Sequence, residues 1–271
     1  MPKANVNGIN LFYKVQGQGE PLVMIQGYSG GHDGWFFQTR VFKKHYKTIT
    51  FDPRGIGKSD KPAEPYTVRT MADDVIKLMD HLNIEKAHVL GISLGGIVAQ
   101  ELAINYPQRL MKLVLASTTT GEENTDDIHP ELLQALGVEA GATELDGESV
   151  DFIKAMDTII NLAFSKKLYR ILLLPMAKLQ MKRVGIEGHR RQMEAVSGHS
   201  TLDRLHLIEA PTLVITGTAD RIVSPRSSET IASRLPDAKL VMIEGGSHAM
   251  LIEMRGRFNK EILDFLRNTG Q

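Results

Sequence analysis

The sequence predicts an α/β protein whose mostly parallel central sheet is flanked by helices and interrupted by a helical insertion. Two observations lead to this prediction. Short apolar runs, typical of strands buried on both faces, recur along the 271 residues. Segments with helical spacing of apolar residues alternate with them. The runs are INLFYKV (9–15), PLVMIQ (21–26), YKTITFD (46–52), AHVLG (87–91), KLVLAS (112–117), TLVITG (212–217) and KLVMIEG (239–245).

The first run differs from the others because its polar and apolar residues alternate. It is followed by the turn-forming sequence QGQGEP, so we expect it in an antiparallel hairpin at the sheet edge. Helices are predicted at 68–83, 94–105, 226–235 and 256–267, where apolar residues recur on one face.

Residues 121–200 break the alternation of strands and helices. They contain Leu-, Ile- and Met-rich helical pieces such as VDFIKAMDTIINLAF and no good strand. The segment leaves the sheet after LVLAS and returns at APTLVITG, which favours a cap over the strand ends. An extra helical layer on the sheet edge is the alternative. The predicted organisation is a core domain of residues 1–120 and 201–271 with a cap of residues 121–200.

Charge and composition exclude several classes of partner. The 32 basic and 32 acidic residues cancel, so neither nucleic acid nor an anionic membrane is an expected partner. The absence of cysteine excludes disulfides, thiolate metal sites and a cysteine nucleophile. No stretch approaches the roughly 20 apolar residues of a membrane span, and the N-terminus lacks a signal pattern. We therefore expect a soluble, unprocessed, cytoplasmic protein, and leave open a homodimer.

The stretch GISLG places Ser93 between a predicted strand and a predicted helix in the G-x-S-x-G pattern. Small residues at Gly91 and Gly95 permit the sharp turn that exposes a serine Oγ at the carboxyl edge of a sheet. The N–H of Leu94, at the start of the helix, is then the natural first oxyanion donor. A purely structural tight turn is the alternative.

A serine nucleophile needs a base and an acid that orients the base. Asp220 and His248 each follow a predicted strand, and the chain order Ser93, Asp220, His248 is that of the nucleophile-elbow enzymes. A turn-capping Asp220 and an ordinary loop His248 are the alternatives. Structural or exposed positions are expected for His81 and His88, and solvated ones for His189, His199 and His206, although one of these last three could line the pocket.

Two loops complete the predicted site. The glycine-rich stretch MIQGYSGG (24–31) allows close backbone approach to a substrate, and we assign the second oxyanion donor to Tyr28 N–H. The segment FDPRGIGKSDKP (51–62) lacks phosphate-loop spacing. No metal-ligand spacing occurs either, so neither a cofactor nor a metal is predicted. The polar residues of the second loop are expected to form a hydrogen-bonded scaffold; they are Asp52, Arg54, Ser59 and Asp60.

Over nearly its whole length the chain resembles the α/β-hydrolase fold superfamily, through QGYSGG, DPRGIGKSD, GISLGG, GTADRIVSP and GGSHAML. Within it the chain is similar to the small carboxylesterase and 3-oxoadipate enol-lactonase-like group, through DPRGIGKSDKPAEPYT and GISLGGIVAQELAINYPQRL. The resemblance implies the site residues already named: Ser93 as nucleophile, His248 as base, Asp220 as orienting acid, and the Tyr28 and Leu94 amides as oxyanion hole.

Two residues refine this resemblance. A serine at position 93, rather than an aspartate, makes haloalkane dehalogenase and epoxide hydrolase chemistry unlikely for this chain. The family usually has His-Gly before the oxyanion residue, whereas this chain has Gln26-Gly27. We expect the Gln26 side chain to hold the loop by hydrogen bonding and to leave the oxyanion hole intact.

The predicted function is hydrolysis of carboxylic esters by a serine hydrolase acting on a medium-sized, fairly apolar ester or lactone. Enol-lactone hydrolysis, carbon–carbon bond hydrolysis and cofactor-free perhydrolysis use the same residues, and an idle ligand-binding protein is the alternative from another class. Apolar cap residues expected to line the pocket, with ordinary helical core packing as the alternative, are Met156, Met176, Met181, Met193 and Leu172 to Leu174. Basic cap residues that would suit a diacid, or form a solvated face, are Lys178, Lys182, Arg183, Arg190 and Arg191.

Overall fold

The central sheet has the predicted α/β architecture. A computed structural model describes residues 2–121 and 152–268, together with His129, Glu131 and Gln134. In these ranges eight strands form one sheet in the order β1-β2-β4-β3-β5-β6-β7-β8. The pairs β1–β2 and β2–β4 are antiparallel and all others are parallel. The strands are β1 (Lys3–Val6), β2 (Ile9–Gln16), β3 (Pro21–Ile25), β4 (Lys47–Phe51), β5 (Ala87–Ile92), β6 (Leu110–Ala116), β7 (Thr212–Gly217) and β8 (Ala238–Ile243).

Helices cover both faces of this sheet, which explains the continuously apolar strands. Every residue of β5 and β7 is buried. One apolar cluster joins the sheet to α2 and α3, and a second joins the opposite face to α1 and α8. The helices are α1 (Phe36–Phe42), α2 (Val68–His81), α3 (Leu94–Asn105), α4 (Phe152–Ala163), α5 (Lys167–Val196), α6 (Pro225–Arg234), α7 (Met250–Glu253) and α8 (Arg255–Arg267).

The first apolar run lies in an antiparallel hairpin at the sheet edge, as predicted. Strands β1 and β2 form this hairpin and are joined at Asn7 and Gly8, both with positive φ. The turn differs from the expected one, because QGQGEP leads to β3, which is not a neighbour of β2. A four-residue strand was not recognisable in advance because so short a segment carries little periodicity.

Helices α4 and α5 lie between β6 and β7, and we refer to residues 152–196 as the helical insertion. Helix α5 is interrupted at Gly185, which has a non-helical φ of 78° and ψ of 159°. Within the predicted cap of residues 121–200, most residues from 122 to 151 lie outside the described residues. In the parts of the chain that are described, no helix is both long enough and apolar enough to cross a membrane.

Candidate active site

Ser93 occupies a strained turn between β5 and α3, with φ 53° and ψ −127°. A non-glycine residue rarely adopts this region, so the surrounding structure must hold it there. Ser93 N–H donates to Ala116 O at 2.9 Å, and Thr118 Oγ1 donates to Ser93 O at 2.7 Å. A Cβ atom on Gly95 would lie 2.2 Å from Ile25 O, so only glycine lets α3 approach β3 this closely. The core of the protein therefore fixes the Ser93 turn.

Asp220 and His248 are in direct contact. The distance from His248 Nδ1 to Asp220 Oδ2 is 2.8 Å. The other carboxylate oxygen accepts the N–H groups of Ile222 at 2.9 Å and Val223 at 3.0 Å, which orients the carboxylate. Because a carboxylate only accepts hydrogen bonds, His248 Nδ1 carries the proton and a neutral ring offers Nε2 as a base.

All three predicted residues lie at one edge of the sheet. Ser93 follows β5, Asp220 follows β7 and His248 follows β8, and these strands belong to the parallel part of the sheet. Because the carboxyl ends of parallel strands meet at the same edge, the turns after them are close in space. The structure thus joins Asp220 to His248 and places the Ser93 turn at the same edge.

The loop of residues 26–31 reaches the Ser93 side chain. A Cβ atom on Gly27 would lie 3.0 Å from Ser93 Cβ and 3.6 Å from Ser93 Oγ, so the Gly27 backbone adjoins the hydroxyl. Gln26 Oε1 accepts the Gly27 N–H at 2.9 Å, as expected of a glutamine that holds this loop. Tyr28 follows Gly27, and its N–H belongs to the same peptide unit as the Gly27 carbonyl.

The helical insertion contacts this loop through His189 and Gln192 of α5. Ser29 N–H donates to Gln192 Oε1 at 2.8 Å, and Ser29 Oγ lies 2.7 Å from His189 Nδ1. The Tyr28 hydroxyl donates to His189 O at 3.3 Å. Burial raises the pKa of Tyr28, and the nearby Tyr66 raises it further. The 26–31 loop therefore contacts both the Ser93 turn and α5.

His189 corrects a prediction, and its neighbour Gln192 was missed. His189 was expected to be solvated, but it is 4% exposed and Gln192 is completely buried. The reason is that their segment of α5 packs on the 26–31 loop instead of facing water. The stretch GHRRQME contained a usable pattern, because His189 and Gln192 are three residues apart and residues with this spacing share one face of a helix.

A second contact joins the insertion to the loop that carries His248. Glu253 Oε2 accepts the hydroxyls of Ser247 at 2.5 Å and Ser165 at 2.8 Å. Its Oε1 accepts the Lys166 N–H at 2.7 Å. Burial alone raises the pKa of the Glu253 carboxyl, but these hydrogen bonds outweigh it and the pKa lies below its ordinary value. The carboxylate thereby joins the start of α5 to the residue before His248.

The loop after β4 forms the predicted scaffold. Asp52 accepts the N–H groups of His32 at 2.8 Å and Lys58 at 2.9 Å. Burial raises the pKa of Asp52, but the hydrogen bonds from His32 and Lys58 outweigh it and hold the pKa below its ordinary value. Arg54 makes two bonds of 2.6 Å to Asp74. The prediction of a hydrogen-bonded scaffold is confirmed. Each of its four residues makes a hydrogen bond to another part of the chain: Asp52, Arg54, Ser59 and Asp60.

The other histidines take ordinary positions. His88 is buried in β5. His199 was expected to be solvated, but it is half-buried because it packs beside Glu101, with its Nε2 3.6 Å from Glu101 Oε2. His81 and His206 are exposed, as predicted. Within the described ranges no group of three or more His, Asp or Glu side chains could hold a metal ion.

The predicted pocket residues of the insertion are only partly visible. Leu172 is 61% exposed and Met193 is half-buried. Arg190 and Arg191 both pair with Glu187 and Glu194. Arg190 fits the interpretation as a solvated helix face, whereas the Arg191 side chain is only 14% exposed. The remaining side chains fall outside the described residues: Met156, Met176, Met181, Leu173, Leu174, Lys178, Lys182 and Arg183.

The sheet order and the serine turn define an α/β hydrolase, and comparison with known families agrees. A family model described as alpha/beta hydrolase fold matches residues 20–141. A second, described as serine aminopeptidase S33, matches residues 191–255. The chain has the α/β-hydrolase fold and is a hydrolase.

Individual relatives refine this assignment. The chain is 25% identical over 286 residues, covering all of both chains, to RutD of Azorhizobium caulinodans, which carries the provisional name carbamate hydrolase. It is 28% identical to 3-oxoadipate enol-lactonase 2 of Acinetobacter baylyi, covering 94% of this chain and 92% of that one. The crystal structure of the enol-lactonase from Burkholderia xenovorans LB400 superposes with a TM-score of 0.85 at 25% identity, covering 98% and 99% of the two chains.

Proposed function

We propose that this hydrolase is a carboxylesterase that cleaves carboxylic esters through an acyl-enzyme on Ser93. The observation that carries the proposal is the strained Ser93 backbone, with φ 53° at a strand-to-helix turn. Strain of this kind in a non-glycine residue is retained where it serves a site, since it costs on the order of 1–3 kcal/mol. The hydrogen-bonded pair of Asp220 and His248 supplies the base that a serine requires.

The mechanism follows from the roles of these groups. Ser93 Oγ attacks the acyl carbon while His248 Nε2 takes its proton, and the carbonyl electron pair moves onto oxygen. The N–H groups of Tyr28 and Leu94 stabilise this oxyanion, at about 3–4 kcal/mol for each donor. Asp220 keeps the proton on Nδ1 and stabilises the imidazolium.

Collapse of the intermediate expels the alcohol, which receives the proton from His248. A water molecule activated by the same imidazole then attacks the acyl carbon. The acid leaves, and Ser93 regains its proton.

We propose that the helical insertion is the cap of the site and that the substrate is an ester or lactone. The contacts from α5 to the 26–31 loop support the first point. Similarity to enol-lactonases in both sequence and structure supports a lactone as the second candidate substrate. The provisional name of RutD, carbamate hydrolase, adds carbamates as a third candidate class of substrate. All three reactions begin with the same attack on an acyl carbon.

Labelling with a fluorophosphonate probe tests the nucleophile. The intact protein should label at Ser93 and hydrolyse p-nitrophenyl esters, and Ser93→Ala should lower kcat on the order of 10⁶-fold. Ser117→Ala is a matched control, since Ser117 follows the neighbouring strand β6 and also has a positive φ of 41°. Ester hydrolysis that survives in Ser93→Ala would show that another residue is the nucleophile.

Asp220→Asn tests the base and its orientation. Asparagine keeps an oxygen for the Ile222 and Val223 N–H groups but no longer requires His248 Nδ1 to carry the proton. We expect a loss of about 10⁴ in kcat with little change in stability. An idle ligand-binding protein would show neither labelling of Ser93 in the intact chain nor any dependence on Asp220.

A further inference from the structure

We propose that Gln192 and His189 are positioning residues through which the helical insertion sets the oxyanion hole. The inference rests on the proposed function, in which Tyr28 N–H is one oxyanion donor. Neither residue touches the reacting atoms in this scheme. They hold the loop by one hydrogen bond to the Ser29 N–H and by one to each of the Ser29 and Tyr28 hydroxyls.

The direction of the Tyr28 N–H depends on one peptide unit. In a trans peptide the carbonyl and the following N–H point to opposite sides. The Gly27 carbonyl accepts the Gly30 N–H at 3.0 Å, so Tyr28 N–H points away from Gly30. A flip of this peptide would remove the donor from the site.

Ser29 is the residue whose conformation keeps the turn in place. Its φ of 60° lies in the left-handed region, which is unfavourable for a residue with a side chain. Without a restraint from outside the loop, the Ser29 backbone would relax toward a more favourable conformation. Gln192 and His189 oppose that relaxation because they bond the Ser29 N–H and the Ser29 hydroxyl at 2.8 and 2.7 Å.

The chemistry of Gln192 supports a dedicated role. Its Oε1 must face Ser29, since an NH₂ group there would meet another donor. Its Nε2 is buried and has no hydrogen-bond partner among the described residues. Burying an amide whose donor is unsatisfied is costly, so an apolar side chain would be favoured unless the acceptor were needed. The acceptor serves the Ser29 N–H.

The test is Gln192→Met, which keeps the length of the side chain but removes the acceptor. We expect kcat for p-nitrophenyl esters to fall 10- to 100-fold with KM within twofold. Amide hydrogen exchange at Ser29 should accelerate. Inhibition by a trifluoromethyl ketone, which forms an oxyanion on Ser93, should weaken by the same factor as kcat. Inhibition by the matching alcohol, which forms none, should not change.

Three variants accompany this test. Gln192→Glu should keep most of the activity, because both protonation states of its carboxyl accept the Ser29 N–H. Ser29→Ala removes only the bond to His189 and should reduce kcat and ketone binding by a smaller, parallel factor. Arg190→Gln is the matched control on the same turn of α5; it breaks only pairs with Glu187 and Glu194 and should leave all values unchanged.

The outcomes separate this inference from the proposed function. Unchanged kcat and unchanged Ser29 exchange in Gln192→Met would overturn the inference, as would equal weakening of ketone and alcohol inhibitors. Absence of Ser93 labelling in the intact protein would instead overturn the proposed function. In that case the exchange of the Ser29 amide still decides whether Gln192 holds the loop.

Discussion

The two loops that meet at Ser93 are stabilised in different ways. The Ser93 turn is held by its immediate surroundings in the core, through hydrogen bonds with Ala116 at the end of β6 and with Thr118, and through the close packing of Gly95 on β3. The 26–31 loop is held by Gln192, which lies 163 positions from Ser29 in the chain. The first depends on the sheet, whereas the second depends on the helical insertion.

This difference assigns separate tasks to the two parts of the molecule. The core holds Ser93, the proposed nucleophile. The insertion holds the loop of the proposed oxyanion donor Tyr28. If both proposals are correct, a change in the insertion alters the oxyanion donor without any change in the core.

Gly95→Ala should destabilise the protein more than the other substitutions, because Gly95 packs against the backbone at the end of β3, where the 26–31 loop begins. The new Cβ atom would lie 2.2 Å from Ile25 O and 2.6 Å from Gln26 O, and backbone atoms cannot move aside cheaply. We expect the free energy of unfolding to fall by about 3 kcal/mol or more. Urea denaturation measures this loss.

Gly256→Ala is the matched control for this substitution. Gly256 is the second residue of α8, and a Cβ atom there meets nothing within 4 Å. Since alanine has a higher helix propensity than glycine and no clash opposes it, the control should be neutral or slightly stabilising. Equal destabilisation by both substitutions would contradict the assignment of the Ser93 turn to close packing.

Glu253→Gln tests the other attachment of the insertion, beside His248. Loss of the carboxylate weakens its hydrogen bonds, and we expect a destabilisation of about 1–3 kcal/mol at pH 7. The native pKa lies below the ordinary value of 4.5, so this stabilisation is complete above pH 4.5 and is lost as the pH falls through the native pKa. The difference between the two proteins should therefore shrink in acid.

Urea denaturation at pH 7 and at several acid pH values measures this effect, with the exposed Glu244→Gln as control. A difference that is the same at every pH would show that the Glu253 charge contributes nothing to the attachment.

Tyr28→Phe should have the smallest effect. It removes only the 3.3 Å hydrogen bond to His189 O and leaves the Tyr28 N–H in place. We expect a loss of stability of about 0.5–1 kcal/mol and a fall in kcat of only a few-fold. A loss of kcat as large as in Gln192→Met would indicate that the Tyr28 hydroxyl, and not Ser29, anchors the loop.

Much of the core was predictable from local patterns. Helix α3 begins and ends at the residues predicted, and β7 spans the predicted TLVITG. Both patterns are strong because every residue of β7 and most residues of α3 are buried. The contact between Asp220 and His248 was predictable too, since both follow parallel strands. By contrast, β1 and α1 were missed because they are short and lack a distinctive period.

The sequence by itself determined the sheet, the serine turn and the order of the proposed catalytic residues, because glycine sterics and apolar periodicity act between near neighbours. Only the tertiary structure decided that His189 and Gln192 hold the 26–31 loop and that Glu253 joins α5 to the His248 loop. These contacts span between 87 and 163 positions of the chain. No local pattern specifies which buried donor and acceptor will meet across such a separation.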